Sequence, residues 1–131
     1  MDKVVVDFIA RLALSYAASA RLAGPRIGAL HAVVSGGFSA DSIRDRIADC
    51  GAVAVITADG GYRRGAIVPL KKNVDDALIG RTSVKRVIVF GRAGNEINIV
   101  DGRDVGGHRE LEYVDGNCPA GPLGIVDTVS L

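Results

Sequence analysis

Short apolar runs alternate with helical patterns over residues 4–90, and this alternation limits the folds that the chain can adopt. Four runs are predicted to be strands: Val4–Val6, Ala29–Ser35, Ala52–Thr57 and Val84–Phe90. The third run reads AVAVIT and is apolar on both faces, which is typical of a strand covered by helices. Strands that alternate with helices predict a parallel sheet with right-handed crossovers. The fold class is therefore α/β, with a parallel sheet of about four strands and flanking helices.

The segment after the first strand has the pattern of an alanine-rich helix. From Asp7 onward, apolar residues recur at four-residue steps: Phe8, Leu12 and Tyr16. Gly24-Pro25 then ends the helix. Asp7 and Arg11 interrupt the apolar run, whereas the apolar region of a secretory signal peptide is uncharged. We therefore predict a folded strand and helix at this end of the chain.

Capping residues mark two further helices. Ser39 is a suitable N-cap for a helix that runs to Cys50, and Gly51 supplies its C′ position. Asn73 is a suitable N-cap for the next helix. Its first turn would then carry two carboxylates, which the positive end of the helix favours: Asp75 and Asp76.

The pattern weakens after the fourth strand. Asn95–Val100 is a candidate short strand, whereas Asp101–Leu131 is rich in Gly, Asp and Pro and is predicted to be irregular. We expect residues 1–95 to form a βαβ-type subdomain and residues 96–131 to form an irregular tail. The last apolar residues have no strand or helix after them to pack against, as expected of a chain that stops early: Ile125, Val126, Val129 and Leu131.

Composition and charge argue against binding to nucleic acid or to a membrane. The 131 residues include 16 basic and 15 acidic side chains, and a net charge of +1 exerts no long-range attraction on nucleic acid or an anionic membrane. Any anion site must therefore be local. No segment approaches the ~18 uncharged apolar residues that span a bilayer. Cys50 and Cys118 lack disulfide-framework and zinc spacing, so reduced thiols and a cytoplasmic location are expected.

The stretch Ala58–Leu78 follows the third strand and reads ADGGYRRGAIVPLKKNVDDAL. Glycines let a backbone approach a ligand closely, and arginines bind phosphate through a fixed fork of donors. Two glycine pairs, Gly36-Gly37 and Gly60-Gly61, fall at the carboxyl ends of predicted strands, where ligands of parallel sheets bind. The stretch predicts an anion site with Arg63 and Arg64 as its ligands. A solvated loop with exposed arginines is the alternative that the residues leave open.

Other polar residues are predicted to be structural or solvated. Lys71-Lys72 is interpreted as a solvated chain segment before a helix. His31 and His108 lack partners at metal-ligand spacing, so no metal ligand is assigned. No nucleophile elbow or Ser/His/Asp grouping is visible, so no catalytic residue is assigned. Four carboxylates are interpreted as parts of a solvated tail: Asp101, Asp104, Glu110 and Glu112.

The residues from Arg26 to Leu78, RIGALHAVVSGGFSADSIRDRIADCGAVAVITADGGYRRGAIVPLKKNVDDAL, closely resemble the N-terminal domain of AMP-forming acetyl-CoA synthetase. The likeness is dense to about Phe90 and looser through DGRDVGGH (Asp101–His108) and CPAGPL (Cys118–Leu123). It implies a flavodoxin-like or Rossmann-like half of the N-terminal domain of the adenylate-forming superfamily. It also implies ATP-dependent activation of acetate to acetyl-adenylate and transfer of the acetyl group to coenzyme A.

The resemblance implies a CoA-facing loop and also shows where this chain departs from the family. Arg63 matches the first of two family arginines, and Ala66 stands where the second is common. Ser35 replaces a phenylalanine before the glycine turn, and Gly106-Gly107 replaces a tryptophan pair. The residues expected to face CoA are Arg63, Arg64, Gly65, Ala66, Gly36 and Gly37.

These departures predict a weak or partial CoA site. The full-length family also uses ATP and Mg, whose sites have no counterpart in these residues, so the chain is expected to be inactive alone. Its expected partners are small molecules, namely CoA, acetate and ATP in the family, with no nucleic acid and no membrane. Two alternatives are a stand-alone module that binds CoA or an adenine nucleotide weakly, and a non-functional remnant that associates through an uncovered apolar surface.

Overall fold

The computed structural model describes residues 3–8, 19, 22–117, 119 and 122. Its main sheet has five strands, β1 (Lys3–Phe8), β2 (Leu30–Ser35), β3 (Ala54–Ala58), β6 (Arg86–Phe90) and β7 (Asp104–Gly106). A separate hairpin consists of β4 (Gly61–Arg63) and β5 (Ala66–Val68). The helices are α1 (Ala40–Cys50), α2 (Leu70–Ala77) and α3 (Gly107–Leu111), and residues 22–26 are also helical.

All neighbouring strands of the main sheet are parallel, in the order β2-β1-β3-β6-β7. This confirms the α/β class and the four predicted strands. β7 is a fifth strand that the sequence did not predict. Strand order reverses around β1, because β2 lies on one side of it and β3 on the other. Ligands of open α/β sheets bind beyond the carboxyl ends of the strands at such a reversal.

The first helical prediction needs a correction at its start. Asp7 and Phe8 belong to β1, where they pair with Val34 and Ser35 of β2. The predicted helix therefore began too early. Asp7 and Phe8 are extended because they pair with β2. Most of the predicted helix, like Cys118 and the apolar residues from Ile125 onward, lies outside the described residues.

The caps of α1 agree with the sequence. The Ser39 side chain accepts a hydrogen bond from the Ser42 backbone N–H at 3.3 Å. Gly51 ends the helix in the left-handed region, with φ 62° and ψ 42°. Glycine has no Cβ atom, so it adopts this left-handed conformation with little strain.

α2 begins earlier than predicted. It starts at Leu70 after Pro69, so Asn73 lies inside the helix and is not its N-cap. Pro69 is the N-cap residue, and its carbonyl accepts the first hydrogen bond of the helix from the Asn73 N–H at 3.1 Å. The prediction for Asp75 and Asp76 was also wrong, because both lie beyond the first turn. Each instead forms an ion pair with a lysine four residues earlier, Lys71 or Lys72.

The core lies between one face of the sheet and helices α1 and α2. Ile43 and Ile47 of α1 pack with Val74 of α2 and with Val55 and Val87 of the central strands. Each of these five side chains is at most 4% exposed. Burying a Val or Ile side chain stabilises a fold by roughly 1.5–3 kcal/mol, so this layer holds the strand ends in fixed positions.

The segment after β6 differs from its prediction in three ways. Residues 95–100 form no strand. Residues 104–111, predicted to be irregular, form β7 and α3. Asp104, interpreted as solvated, is buried at 8% exposure. Pairing with β6 supplies the hydrogen bonds of β7, so a strand forms where the local composition favours a loop.

The second face of the sheet borders a cavity of about 360 Å³. Its apolar wall comes from Ile56 and Ile88 of the sheet and from residues in or near α3. Among the latter, Leu111 is 52% exposed and Val114 63% exposed. These two side chains are therefore exposed at the edge of the cavity.

Candidate functional site

Three chain segments meet at the carboxyl edge of the sheet. Residues 36–37 follow β2, residues 59–61 follow β3, and residues 91–95 follow β6. β2 and β3 both pair with β1, so their carboxyl ends lie about 10 Å apart, two strand spacings. The predicted glycine pairs therefore flank the point at which strand order reverses.

The predicted arginine loop is the tip of a β-hairpin. Arg63 pairs with Ala66, and Arg64 and Gly65 form the two-residue turn between them. Both turn residues have positive φ, 51° for Arg64 and 79° for Gly65, as a type I′ hairpin turn requires. Arg64 is the only non-glycine residue with positive φ among the described residues. The turn holds two arginines side by side on a short, exposed projection.

Arg63 reaches back from the hairpin to the glycine turn after β2. A Cβ built on Gly37 would collide with the Nη1 atom of Arg63 and would lie 3.6 Å from its Cζ atom. The guanidinium therefore rests directly on the Gly37 backbone, where a side chain would exclude it. Arg63 is exposed and forms no hydrogen bond or ion pair with the described residues. A free guanidinium against a bare backbone is a suitable place for an anion.

The other predicted site residues lie close to this contact along the chain. Gly36 and Gly37 occupy a turn that the Phe38 N–H closes by donating to the Ser35 carbonyl at 3.2 Å. Arg64, Gly65 and Ala66 are exposed at the hairpin tip, and the Arg64 guanidinium has no partner among the described residues. The structure brings Arg63 and Gly37 together and shows no such contact for the remaining four.

Asp59 was not predicted, and it holds the base of this site. The residue is 5% exposed, and its carboxylate accepts four backbone hydrogen bonds. The donors are Gly60 at 2.7 Å, Arg92 at 2.7 Å, Ala93 at 2.9 Å and Gly94 at 2.8 Å. An aspartate directly after a strand and before two glycines was the available signal. The carboxylate joins the arginine loop to the loop after β6.

The hydrogen bonds also set the protonation of Asp59. Burial raises the pKa of this carboxyl, but the N–H groups of Ala93, Gly60, Gly94 and Arg92 lower it further than burial raises it. The net result is a pKa below the ordinary aspartate value. Asp59 is therefore an anion at neutral pH and a hydrogen-bond acceptor on both oxygens.

The main chain of Asp59 closes the hairpin at its base. The Asp59 carbonyl accepts hydrogen bonds from the Lys71 N–H and the Asn95 Nδ2 group, both at 3.3 Å. The Asp59 N–H donates to the Phe90 carbonyl at 2.9 Å. Residues 60–70 are thus an excursion whose two ends meet at Asp59.

A buried charged cluster lies at the start of α2, which follows the hairpin. The Lys71 side chain is fully buried, and its Nζ atom lies 2.6 Å from Asp75 Oδ1, 2.8 Å from Asp104 Oδ2 and 2.9 Å from the Asn98 carbonyl. Arg103 contacts both carboxylates, each at 2.5 Å. The solvated interpretation of Lys71 was therefore wrong, whereas the Lys72 side chain is 70% exposed, as predicted.

The cluster balances two cations against two anions. Burial raises the pKa of Asp104, but hydrogen bonds from Arg103, Lys71 and the Val100 N–H lower it more. The hydrogen bond to Asp104 is the main reason that the pKa of Arg103 is raised. Asp104 and Arg103 are therefore both charged at neutral pH, and the network that they form with Lys71 and Asp75 ties α2 to β7.

Two negative findings concern the described residues alone. No three His, Cys, Asp or Glu side chains in this part of the chain come together as a candidate metal site. None of the helices in the same part has the length and apolar character needed to cross a bilayer.

The fold matches a unit of a solved acyl-CoA synthetase. Acetoacetyl-CoA synthetase from Streptomyces lividans superposes with a TM-score of 0.79 over 98% of this chain and 19% of its own, at 20% identity. At this identity the likeness concerns the fold. That synthetase therefore contains an α/β unit with the fold of this chain.

Sequence comparison specifies the relatives further. Acetyl-coenzyme A synthetase of Rubrobacter xylanophilus is 50% identical over 101 residues, which are 77% of this chain and 16% of that protein. The enzyme of Shewanella sp. strain W3-18-1 is 49% identical over 117 residues, which are 88% of this chain and 18% of that protein. No family model matches the chain. The chain is thus homologous to one segment of the acetyl-CoA synthetases and spans less than a fifth of the length of these relatives.

Proposed function

We propose that the hairpin tip and the glycine turn bind the phosphate-bearing nucleotide end of coenzyme A, as one part of an acetate-activating CoA ligase. The observation that carries this proposal is the Arg63 guanidinium, which rests on the Gly37 backbone and has no hydrogen-bond or ion-pair partner in the described part of the chain. Acetyl-CoA synthetase relatives at about half identity supply the substrate class. The adjoining residues Gly36, Arg64, Gly65 and Ala66 complete the proposed contact surface.

The proposed site is weak by its composition. Ala66 is too short to contact a phosphate from the position that pairs with Arg63. A hydrogen bond to a charged group contributes roughly 1.5–3 kcal/mol, so an absent second arginine lowers affinity by about 10- to 150-fold. Arg64 lies near Ala66, and its exposed guanidinium partly compensates for the absent second arginine.

Calorimetric titration with CoA and dephospho-CoA tests the proposal. The parent chain should bind CoA in the high micromolar to millimolar range and dephospho-CoA more weakly, because the latter lacks one phosphate. Arg63→Ala should weaken CoA binding about 10-fold or more. The matched control is Arg81→Ala, since Arg81 is also exposed but lies after α2, away from this edge.

Unchanged CoA affinity in Arg63→Ala would contradict the proposal, as would equal losses in both arginine variants.

We further propose that the chain alone forms no acetyl-CoA from ATP, acetate and CoA, because it supplies only the CoA-facing contacts. Turnover that persists through repurification would contradict this second statement.

The cavity face supports a second candidate function, which is self-association. Three large apolar side chains in or near α3 are exposed: Leu111, Tyr113 and Val114. Burying such a surface against a second copy would remove apolar area from water. Sedimentation velocity should then detect dimers that Leu111→Asp abolishes and Ile79→Asp preserves, since Ile79 is exposed elsewhere. A monomer at all concentrations would exclude this candidate.

A further inference from the structure

We propose that Asp59 is a positioning residue, whose carboxylate sets the place of the Arg63 hairpin by binding it to the loop after β6. This inference rests on the proposed function, because Arg63 is the group being positioned. Asp59 itself lies buried beneath the hairpin and is not proposed to touch the ligand. Its effect on binding should therefore operate through Arg63.

The geometry favours one connected unit. Oδ1 accepts hydrogen bonds from Gly60, Arg92 and Ala93, and Oδ2 accepts one from Gly94. A single side chain thus holds both the first residue of the hairpin excursion and three consecutive residues of the neighbouring loop. The Asp59 carbonyl holds the other end of the excursion through the Lys71 N–H.

Close packing at Gly60 makes the position sensitive to this loop. A Cβ on Gly60 would collide with Asn95 Oδ1 and would lie 2.9 Å from Ile67 Cγ2. The loop after β6 therefore lies directly against the hairpin base. A shift of that loop would move the hairpin, and Arg63 would lose its place over Gly37.

Asparagine at position 59 is the most informative substitution. Asn has nearly the same shape as Asp, but one of its two terminal atoms is an N–H donor. In either orientation of the amide, at least one backbone N–H then faces another donor and loses its acceptor. The loops should separate locally, while the helices and strands keep their own hydrogen bonds.

A double-mutant cycle with CoA as the probe tests the proposal. The four proteins are the parent chain, Arg63→Ala, Asp59→Asn and the double variant, compared by calorimetry at a temperature where all are folded. In the parent background Arg63→Ala should weaken binding about 10-fold or more. In the Asp59→Asn background the same change should have less than about a two-fold effect, because Arg63 is already displaced.

Asp104→Asn is the matched control. Asp104 is also a buried aspartate held by several donors, but it lies in the cluster beneath α2 and not under the hairpin. This variant should lose stability and keep the full Arg63 effect. A purely structural role for Asp59 would give the same result as Asp104→Asn, and that outcome would overturn the proposal.

Hydrogen exchange of the unmodified chain provides a second test that does not depend on CoA or on the folding of a variant. In low urea, the amides of Arg92, Ala93 and Gly94 should open with the same free energy as those of the hydrogen-bonded hairpin pair Arg63 and Ala66. Hairpin amides that exchange through a separate, smaller opening would overturn the coupling. If the amides open together but CoA does not bind, the positioning inference stands and the proposed ligand is wrong.

Discussion

Three glycines in this chain each leave room for a particular side chain. Gly37 accommodates the Arg63 guanidinium, Gly60 accommodates Asn95, and Gly107 accommodates the Phe90 ring. The first two shape the proposed anion site, and the third lies in the packing between β6 and α3. A side chain at position 107 would occupy the space that Phe90 fills. Glycine at this position is therefore required by the packing of this core.

Gly107→Ala tests this interpretation at the residue scale. Its Cβ would lie 2.5 Å from the Phe90 Cε1 and Cζ atoms, so the free energy of unfolding should fall by about 1–3 kcal/mol. The neighbouring Gly106→Ala is the control, because its Cβ would make an ordinary contact at 3.8 Å with Arg109. Urea unfolding measures both. Equal effects, or no rescue of Gly107→Ala by Phe90→Leu, would contradict the packing argument.

At the scale of elements, the hairpin and α2 are held from two sides. Asp59 holds the base of the hairpin, and Lys71 holds the start of α2 against Asp104 of β7. Lys71 and Asp104 side chains are both 0% exposed in this pair. A buried ion pair is costly to break, since removing one partner leaves the other charge buried and uncompensated.

Lys71→Met and Lys72→Met form a closely matched pair of variants. Each lysine bonds an aspartate four residues later at 2.6 Å, but only Lys71 is buried. Lys71→Met should lower the free energy of unfolding by about 3–5 kcal/mol, and Lys72→Met by about 0–1 kcal/mol. Thermal or urea unfolding gives both values. Similar losses in the two variants would show that the buried network contributes no more than the exposed pair.

The same elements show how far sequence reasoning extends. The alternation of short apolar runs with helical patterns predicted four strands and the α/β class. Strands buried against helices are visible in the sequence because their residues are apolar on both faces. Local sequence patterns did not indicate β7 or the burial of Asp104. The strand forms because it pairs with β6, and Asp104 is buried because it pairs with Lys71, 33 positions earlier in the chain. Arg63 and Gly37 could be selected from residue type, whereas their contact required the hairpin geometry. Asp59 was missed because its four donors come largely from the loop after β6.

At the scale of the whole molecule, buried carboxylates predict loss of stability in acid. Asp59 and Asp104 both have pKa values lowered in the folded state. The unfolded chain therefore binds more protons, and their contribution is present above the unfolded aspartate pKa of about 3.9 and is lost as pH falls through the folded values. The free energy of unfolding should be nearly constant from pH 7 to about 5 and should decline below that.

Urea unfolding across pH checks this dependence. The decline should be shallower in Asp59→Asn and in Asp104→Asn, because each variant removes one titrating group. Asp41→Asn is the control, since the Asp41 side chain is 82% exposed and its ion pair with Arg44 lies at the surface. Stability that stays constant from pH 7 to below pH 3.5 would contradict the assignment of these two buried carboxylates.

The molecule spans less than a fifth of the length of its curated relatives. The central claim is that CoA binds where Arg63 rests on Gly37. An NMR titration of the isotopically labelled chain with CoA tests it most directly. We predict that amide shifts change at residues 36–38 and 60–66 and that Arg63→Ala removes these changes. Shifts confined to the cavity face, or no shifts at millimolar CoA, would contradict the claim.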